Sequence, residues 1–426
     1  MLNPLIFIIF MDNSTHPKAM KNQVHKQLSF IIMSTLTKCS APLNKWRRDF
    51  LLETLLLFMS IPGRICFLQL GRYSRHGEQR FRQQFEKPFD FMEFNSHLVK
   101  DNLSGRRAIA IDPSYISKSG KKTPYMGSFW SGCAQSVKRG LELMGVAAID
   151  IDNHIALHLE AVQTPPTKSL SQMFQSLLDW YLYVITKKKD SLLEISNIIV
   201  ADAFFSKYPF VQGVRDLGFH LVSRLQNNAN LRYIYKGEPK KGKGRPKKYD
   251  GKIDLKNIDH SHFTTFHYKG QPCYYAVVNS VALERNILII IERITENQKV
   301  IQRIIFSTDI EANPTDVLDI YHTRFLIEFQ FRDAKQATGL THCQARSLNK
   351  LYAHFNFALT AVNIAKISHW QNSDGYGKSF SITDTKLMLH NHLMIELFIS
   401  KFGINPNSKK NHKLVKELLV YGTKAA

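Results

Sequence analysis

Ala108-Ile109-Ala110-Ile111-Asp112-Pro113 is the stretch from which the rest of the chain can be read. Four apolar residues in succession, without polar alternation, predict a strand buried on both faces, and Asp112-Pro113 predicts its end. Further along, Ile198-Ile199-Val200-Ala201-Asp202 repeats the pattern. In an open α/β sheet, ligands gather beyond the carboxyl ends of parallel strands, so both carboxylates are expected at one edge. Taken singly, each Asp reads equally well as a turn or capping residue.

A third element narrows the choice. Asn313-Pro314, with Asp316 following, is a helix start: a capping side chain, then Pro at the first helical position. The expected helix, 314–338, carries Tyr321, Arg324, Glu328 and Lys335. At about 100° per residue these four fall within about 60° of arc on one face. A hydroxyl, a guanidinium, a carboxylate and an ammonium in one row suit a charged ligand. The competing reading is a solvated face with an Arg324–Glu328 ion pair.

The remaining sequence surrounds these three pieces. Residues 43–102 read as helices, with Trp46, Phe50, Leu51, Thr54, Leu55 and Phe58 at helical spacing and Pro62-Gly63 as a stop. A basic stretch follows (Arg64, Arg72, Arg75, Arg80, Arg82, Lys87), which suggests a DNA-binding module or a helical cap with a solvated face. Segments 143–151 and 154–162 predict a hairpin, Ser169–Thr186 a helix and Leu221-Val222-Ser223 a strand. Tyr125, Phe129 and Trp130 are expected in the core. From 226 to 305 the pattern is β-rich, with Lys240, Lys241, Lys243, Arg245, Lys247 and Lys248 on an exposed loop. Helices at 348–370 and 382–401 precede a basic tail.

Composition sets the partner class. Lys and Arg number 57 against 35 Asp and Glu, a formal net charge of +22. Such an excess favours a polyanion, because each neutralised phosphate releases condensed counterions. Five scattered cysteines without a Cys-x-x-Cys pair argue against a disulfide framework or a structural zinc, and fit a reducing cytosol. No apolar run reaches the ~20 residues of a membrane helix. Leu5–Phe10 is apolar but lacks a basic flank, so a signal peptide is not expected, and Met20 and Met33 are alternative starts.

With these residues in place, the chain resembles a large group of bacterial insertion-sequence DDE transposases. The spacing Tyr-x2-Arg-x3-Glu-x6-Lys, here Tyr321, Arg324, Glu328 and Lys335, matches their signature. The surroundings agree: AIAIDPSYI around Asp112, the GSFW, GLEL and AAID segments after it, IIVADAFFS around Asp202, and FSTDI before the helix. The resemblance runs from about residue 46 to 346. It implies an α/β fold: a ribonuclease H-like core, a mixed central sheet flanked by helices, with a β-rich insertion and an N-terminal helical domain. It also implies that Asp112, Asp202 and Glu328 are catalytic and hold two Mg²⁺ (or Mn²⁺) ions for phosphoryl transfer, since carboxylates are hard oxygen donors. Tyr321, Arg324 and Lys335 are then contacts to transposon-end phosphates, and the basic loop binds DNA backbone.

The implied partners are double-stranded DNA, as terminal inverted repeats and as target, and a second copy of the chain on paired ends. No membrane partner is implied, and the place of action is the bacterial cytoplasm, at the nucleoid. Relatives that form a hairpin intermediate receive a flipped base on an aromatic of the insertion, often Trp. Here all four Trp (Trp46, Trp130, Trp180, Trp370) lie outside it, leaving Tyr233, Tyr235, Tyr249, Tyr268, Tyr274 or Tyr275 to stack. The expected division is a leader, partly disordered, at 1–43, a helical DNA-binding domain at 44–103, and the core at 104–225. The β-rich insertion follows at 226–305, the second part of the core with C-terminal helices at 306–405, and a tail at 406–426. Two other readings stay open: a catalytically inactive DNA-binding relative, and a ribonuclease H-like nuclease that cuts without joining.

Overall fold

The computed structural model describes residues 23–238, 246–296, 299–372, 379–405 and 408–423. It is a mixed α/β molecule whose centre is one twelve-stranded sheet. The strands are β1 (Arg107–Ser117), β2 (Gly127–Ser131), β3 (Ser136–Asp150), β4 (Ile155–Gln163), β5 (Ile198–Val200) and β6 (His220–Leu225). They continue with β7 (Leu231–Ile234), β8 (Tyr249–Lys252), β9 (Thr264–Tyr268), β10 (Gln271–Ser280), β11 (Arg285–Glu296) and β12 (Lys299–Ser307). The order is β2-β3-β1-β5-β6-β12-β11-β10-β7-β8, with β4 also paired to β3 and β9 to β10. β1, β5 and β6 run parallel, and the other pairings are antiparallel. Apolar runs such as Ala108–Ile111 and Ile287–Ile291 are buried because helices or neighbouring strands cover both faces.

Segment 226–305, expected as an inserted β-rich unit, extends this sheet directly: β12 pairs with β6 at Ser307↔Val222 through Ile304↔Leu225. Its strands fall close to the expected runs. The hairpin of β3 and β4 is also as expected, turning at 151–154.

Among the described residues, five helices precede the sheet: α1 (Gln23–Lys38), α2 (Lys45–Ser60), α3 (Phe67–Tyr73), α4 (Glu78–Gln84) and α5 (Phe91–Asn102). Residues 1–22 of the expected leader lie outside the described residues, but its later part is ordered as α1, with Leu28 and Ile32 fully buried. After β4 come α6 (Leu177–Lys187) and, between β5 and β6, α7 (Tyr208–Asp216). The helix expected from Ser169 begins at Leu177, because the Ser176 side chain caps it by accepting from the Asp179 amide. α8 (Pro314–Thr323), α9 (Leu326–Gln336), α10 (Leu348–Asn372), α11 (Ile382–Phe402) and α12 (Lys409–Leu419) complete the chain.

α10 is the central helix, apolar nearly all round and buried over most of its length. Phe58, Phe85 and Phe91 each pack a ring against Phe357, which fastens the N-terminal helices to it. Two of its asparagines are satisfied against β4. Asn356 Oδ1 accepts from the Ala161 amide (2.8 Å) and lies 3.0 Å from His158 Nε2, while Asn363 Oδ1 accepts from the His158 amide (2.8 Å) and from Gln330 Nε2 of α9 (2.9 Å). A single apolar core runs from Leu28 to Leu389 and includes residues of the 226–305 segment.

Candidate active site

Register places the two aspartates. β1 and β5 pair in parallel at Ile109↔Ile199 and Ala110↔Val200, and there the ladder stops. Asp112 and Asp202 each stand two residues beyond the same pair. Because side chains alternate faces, both project from the face that carries Ala110 and Val200.

Asp112 does not end its strand, as Pro113 had suggested. β1 continues to Ser117 along β3, with Asp112↔Gly145 and Pro113↔Met144 in register. Only its partnership with β5 ends, and that divergence opens the sheet beside the carboxylate. Asp202 does follow its strand. Its Oδ1 accepts from the Phe204 amide (3.0 Å), and its carbonyl accepts from Ser223 Oγ (2.8 Å), so the backbone leaving β5 is held to β6.

The third acid arrives on a helix. Asn313 Oδ1 caps α8 by accepting from the Thr315 amide (2.9 Å), as its Asn-Pro start predicted. The single helix expected over 314–338 is broken at Arg324-Phe325. Both residues keep right-handed helical backbone, but Arg324 N–H bonds to Tyr321 O (3.2 Å) and Glu328 N–H to Phe325 O (2.9 Å), three residues back. The turn is tightened, not reversed. Arg324 and Glu328 therefore stay on one side: Arg324 Nη2 donates to Glu328 Oε1 (3.0 Å), and Nη1 lies 3.6 Å from Asp112 Oδ1.

Three residues outside the expected set complete the arrangement. Lys335 Nζ donates to Ser114 Oγ (2.9 Å), and Ser114 lies two residues past Asp112, on the same face of β1. Gly145, opposite Asp112, leaves room for α9: a Cβ there would lie 2.3 Å from Phe331 Cζ. The charge of Arg224, at the end of β6, acts on both Asp202 and Tyr321. The alternation of β1 could have pointed to Ser114. Nothing local marks Gly145 or Arg224.

The acids share one electrostatic environment. Burial pushes the Asp112 carboxyl up to about 7; Arg324 pulls it down, Glu328 and Asp202 push it further up, and Lys335 pulls it down. Burial likewise raises Asp202, against Arg324 and the Phe204 amide. Burial opposes the charge on Arg324, yet Asp112 and Glu328 hold its guanidinium above the ordinary value. Burial raises Tyr321 and lowers Lys335. The Asp112 and Arg324 side chains are each 17% exposed and Glu328 is 52% exposed, so the cluster is open on the Glu328 side.

Among the described residues, no three His, Cys, Asp or Glu side chains are already arranged to hold a metal ion. A guanidinium lies against two of the acids instead. The donor set nevertheless suits a hard divalent cation: three carboxylates, with Asp112 raised first by burial and further by Glu328 and Asp202, so that added positive charge would favour its ionised form.

The described part of the basic segment lies elsewhere. Lys240, Lys241, Lys243 and Arg245 are outside the described residues. Lys247 and Lys248 are exposed just before β8, five places along the sheet from β6 or about 24 Å at ordinary strand spacing. Lys247 pairs with Asp250 (2.6 Å). Trp130, expected in the core, is 59% exposed: it alternates with buried Phe129 on β2, an edge strand with nothing beyond it in the sheet. Of the tyrosines named for stacking, Tyr233 and Tyr268 are buried, with their rings stacked on His262 and His322. Tyr235, Tyr249, Tyr274 and Tyr275 are half-buried.

The model of the family described as "Transposase DDE domain" matches residues 104–364, well over half of the chain. This protein belongs to that family. The match spans the whole of the site, from the strand of Asp112 to the helix of Glu328 and on into α10. No curated protein matches this transposase. Membership implies DNA as substrate and transposition chemistry, and DDE transposases in general use divalent metal. Among the described residues of this transposase, no helix is long and apolar enough to cross a membrane.

Proposed function

We propose that the chain is the transposase of a bacterial insertion sequence, which binds the element's ends, cleaves them and joins the 3′ ends to target DNA. The observation that carries this is the shared register of Asp112 and Asp202 on adjacent parallel strands, with the Glu328 helix laid across β1. The order β4-β3-β1-β5-β6, with β1, β5 and β6 parallel, supports a ribonuclease H-like core.

In this reading Asp112, Asp202 and Glu328 hold two Mg²⁺ or Mn²⁺ ions. Bound there, the ions supply Lewis acidity for in-line displacement at phosphorus. The remaining work falls to the chain's own groups. Arg324 has a planar fork able to grip a phosphate with two parallel hydrogen bonds. The Tyr321 hydroxyl, its ionisation suppressed by burial, stays a hydrogen-bond donor. Lys335, positioned by Ser114, offers a point charge one helical stretch further along the DNA. The basic residues Lys240, Lys241, Lys243, Arg245, Lys247 and Lys248 hold DNA backbone, and two copies act on paired ends.

The test is cleavage of duplexes ending in the element's own terminal repeats. With Mg²⁺, nicking and joining are expected. Asp112→Asn, Asp202→Asn and Glu328→Gln should each bring both reactions to background while DNA binding persists. Undiminished cleavage in all three variants would overturn the assignment, and cleavage without joining in the parent protein would make it a nuclease.

A further inference from the structure

A second charged feature lies off the acids. Where β1 ends, the segment 117–123, the loop 341–347 with the start of α10, and residues of the N-terminal helical segment line a groove of ≈ 1040 Å³. Seven Lys and Arg side chains line it against one acid, Glu86. That acid is already engaged: it accepts from Ser347 Oγ (2.7 Å) and pairs with Lys350 (2.9 Å). Lys118 Nζ donates to the Cys343 carbonyl and fixes the groove floor. Burial disfavours its charged form, Cys343 favours it, and the nearby Arg64 disfavours it again. Arg64, Lys121, Lys122 and Arg346 are exposed, and no described acid pairs with any of them. Unpaired cations around one groove repel one another, and a polyanion removes that cost.

Position selects the polyanion. Ser117, at the groove's edge, lies five residues beyond Asp112 on the same strand, about 17 Å at the usual strand rise. Duplex DNA advances about 3.4 Å per base pair. A phosphate held at Asp112 and one held at the groove would thus be about five base-pair steps apart on one duplex.

We propose that this groove is a second DNA-backbone site, which seats duplex phosphates about five base pairs from the cleavage point and takes them through Arg64, Lys121, Lys122 and Arg346. It rests on the reading of the chain as a DNA-cutting transposase, and its test separates the two. The full-length protein is titrated with a short labelled duplex of arbitrary sequence across a range of salt. Each lost phosphate contact lowers the slope of log K against log salt by about 0.9, so Lys121→Gln/Lys122→Gln/Arg346→Gln should reduce it by about 2–3. All three positions are exposed, and a thermal melt matching the parent's establishes that the variant is folded; Lys121→Glu/Lys122→Glu, confined to one loop, is the second probe and should weaken binding further. An unchanged slope in a folded variant overturns the groove. So does inorganic phosphate, at matched ionic strength, binding the parent protein but not the variant while leaving duplex affinity unchanged in both, which would make the groove a small-anion site. Asp112→Ala should keep the parent slope and lose nicking. Nicking retained there would count against the proposed function and leave the groove standing.

Discussion

Opposite Asp112 in the β1/β3 ladder stands a residue with no side chain, and its emptiness sets how close the Glu328 helix can come. A Cβ on Gly145 would meet Phe331 Cζ at 2.3 Å and Cε2 at 2.8 Å, and Phe331 is buried and cannot swing clear. Gly145→Ala should therefore cost about 1–3 kcal/mol, as overpacked cores do, and displace α9 from β1. Urea denaturation reads the first effect and nicking the second. Gly145→Ala/Phe331→Leu should recover part of both; no recovery would mean the strain lies elsewhere. The aspartates themselves were legible from apolar runs that stop at a carboxylate. Gly145 was not, because the contact that makes it necessary comes from a helix far away in sequence. Trp130 was misread for a related reason: alternation shows that a strand has two faces, but not whether anything covers the second.

Individual elements show where local signals suffice. The Asn313-Pro314 start held because capping is local chemistry. The end of β1 was misplaced because Pro113 removes one donor, yet β1 keeps β3 as a partner after parting from β5. The join of β4 to α10 leaves no local trace at all, since it runs through side chains far apart in the chain. There, Asn356 Oδ1 already accepts an amide hydrogen bond, so His158 Nε2 carries the proton that it donates. Burial holds that imidazole down to about 4 from an ordinary 6.5. Between those values the unfolded chain binds the extra proton, so stability from this group is complete above 6.5 and is lost as pH falls toward 4. The loss can reach about 3 kcal/mol. The urea midpoint should fall from about pH 7 to about pH 5, and fall less steeply in His158→Gln, which keeps a donor without the titration. Equal slopes would assign the pH dependence to other buried histidines.

At the scale of the molecule, hydrogen-bond ladders run unbroken from β2 to β8, and one apolar core spans both the strands beside Asp112 and Asp202 and the 226–305 segment. Calorimetry should accordingly show one heat-absorption peak for the protein. A separate low-temperature peak, abolished by deleting 231–283, would show that segment to fold by itself. That continuity could not be read from the sequence, which showed β-rich runs but not which strand β12 would choose. Its choice of β6 has a consequence for how such proteins can change over evolutionary time. The chain returns from the segment by a strand anchored on β6, and α8 begins a few residues after that strand. Loops and strands beyond β11 are thus free to lengthen, shrink or be exchanged between lineages without moving Glu328, whereas one residue gained or lost within β12 would misalign it.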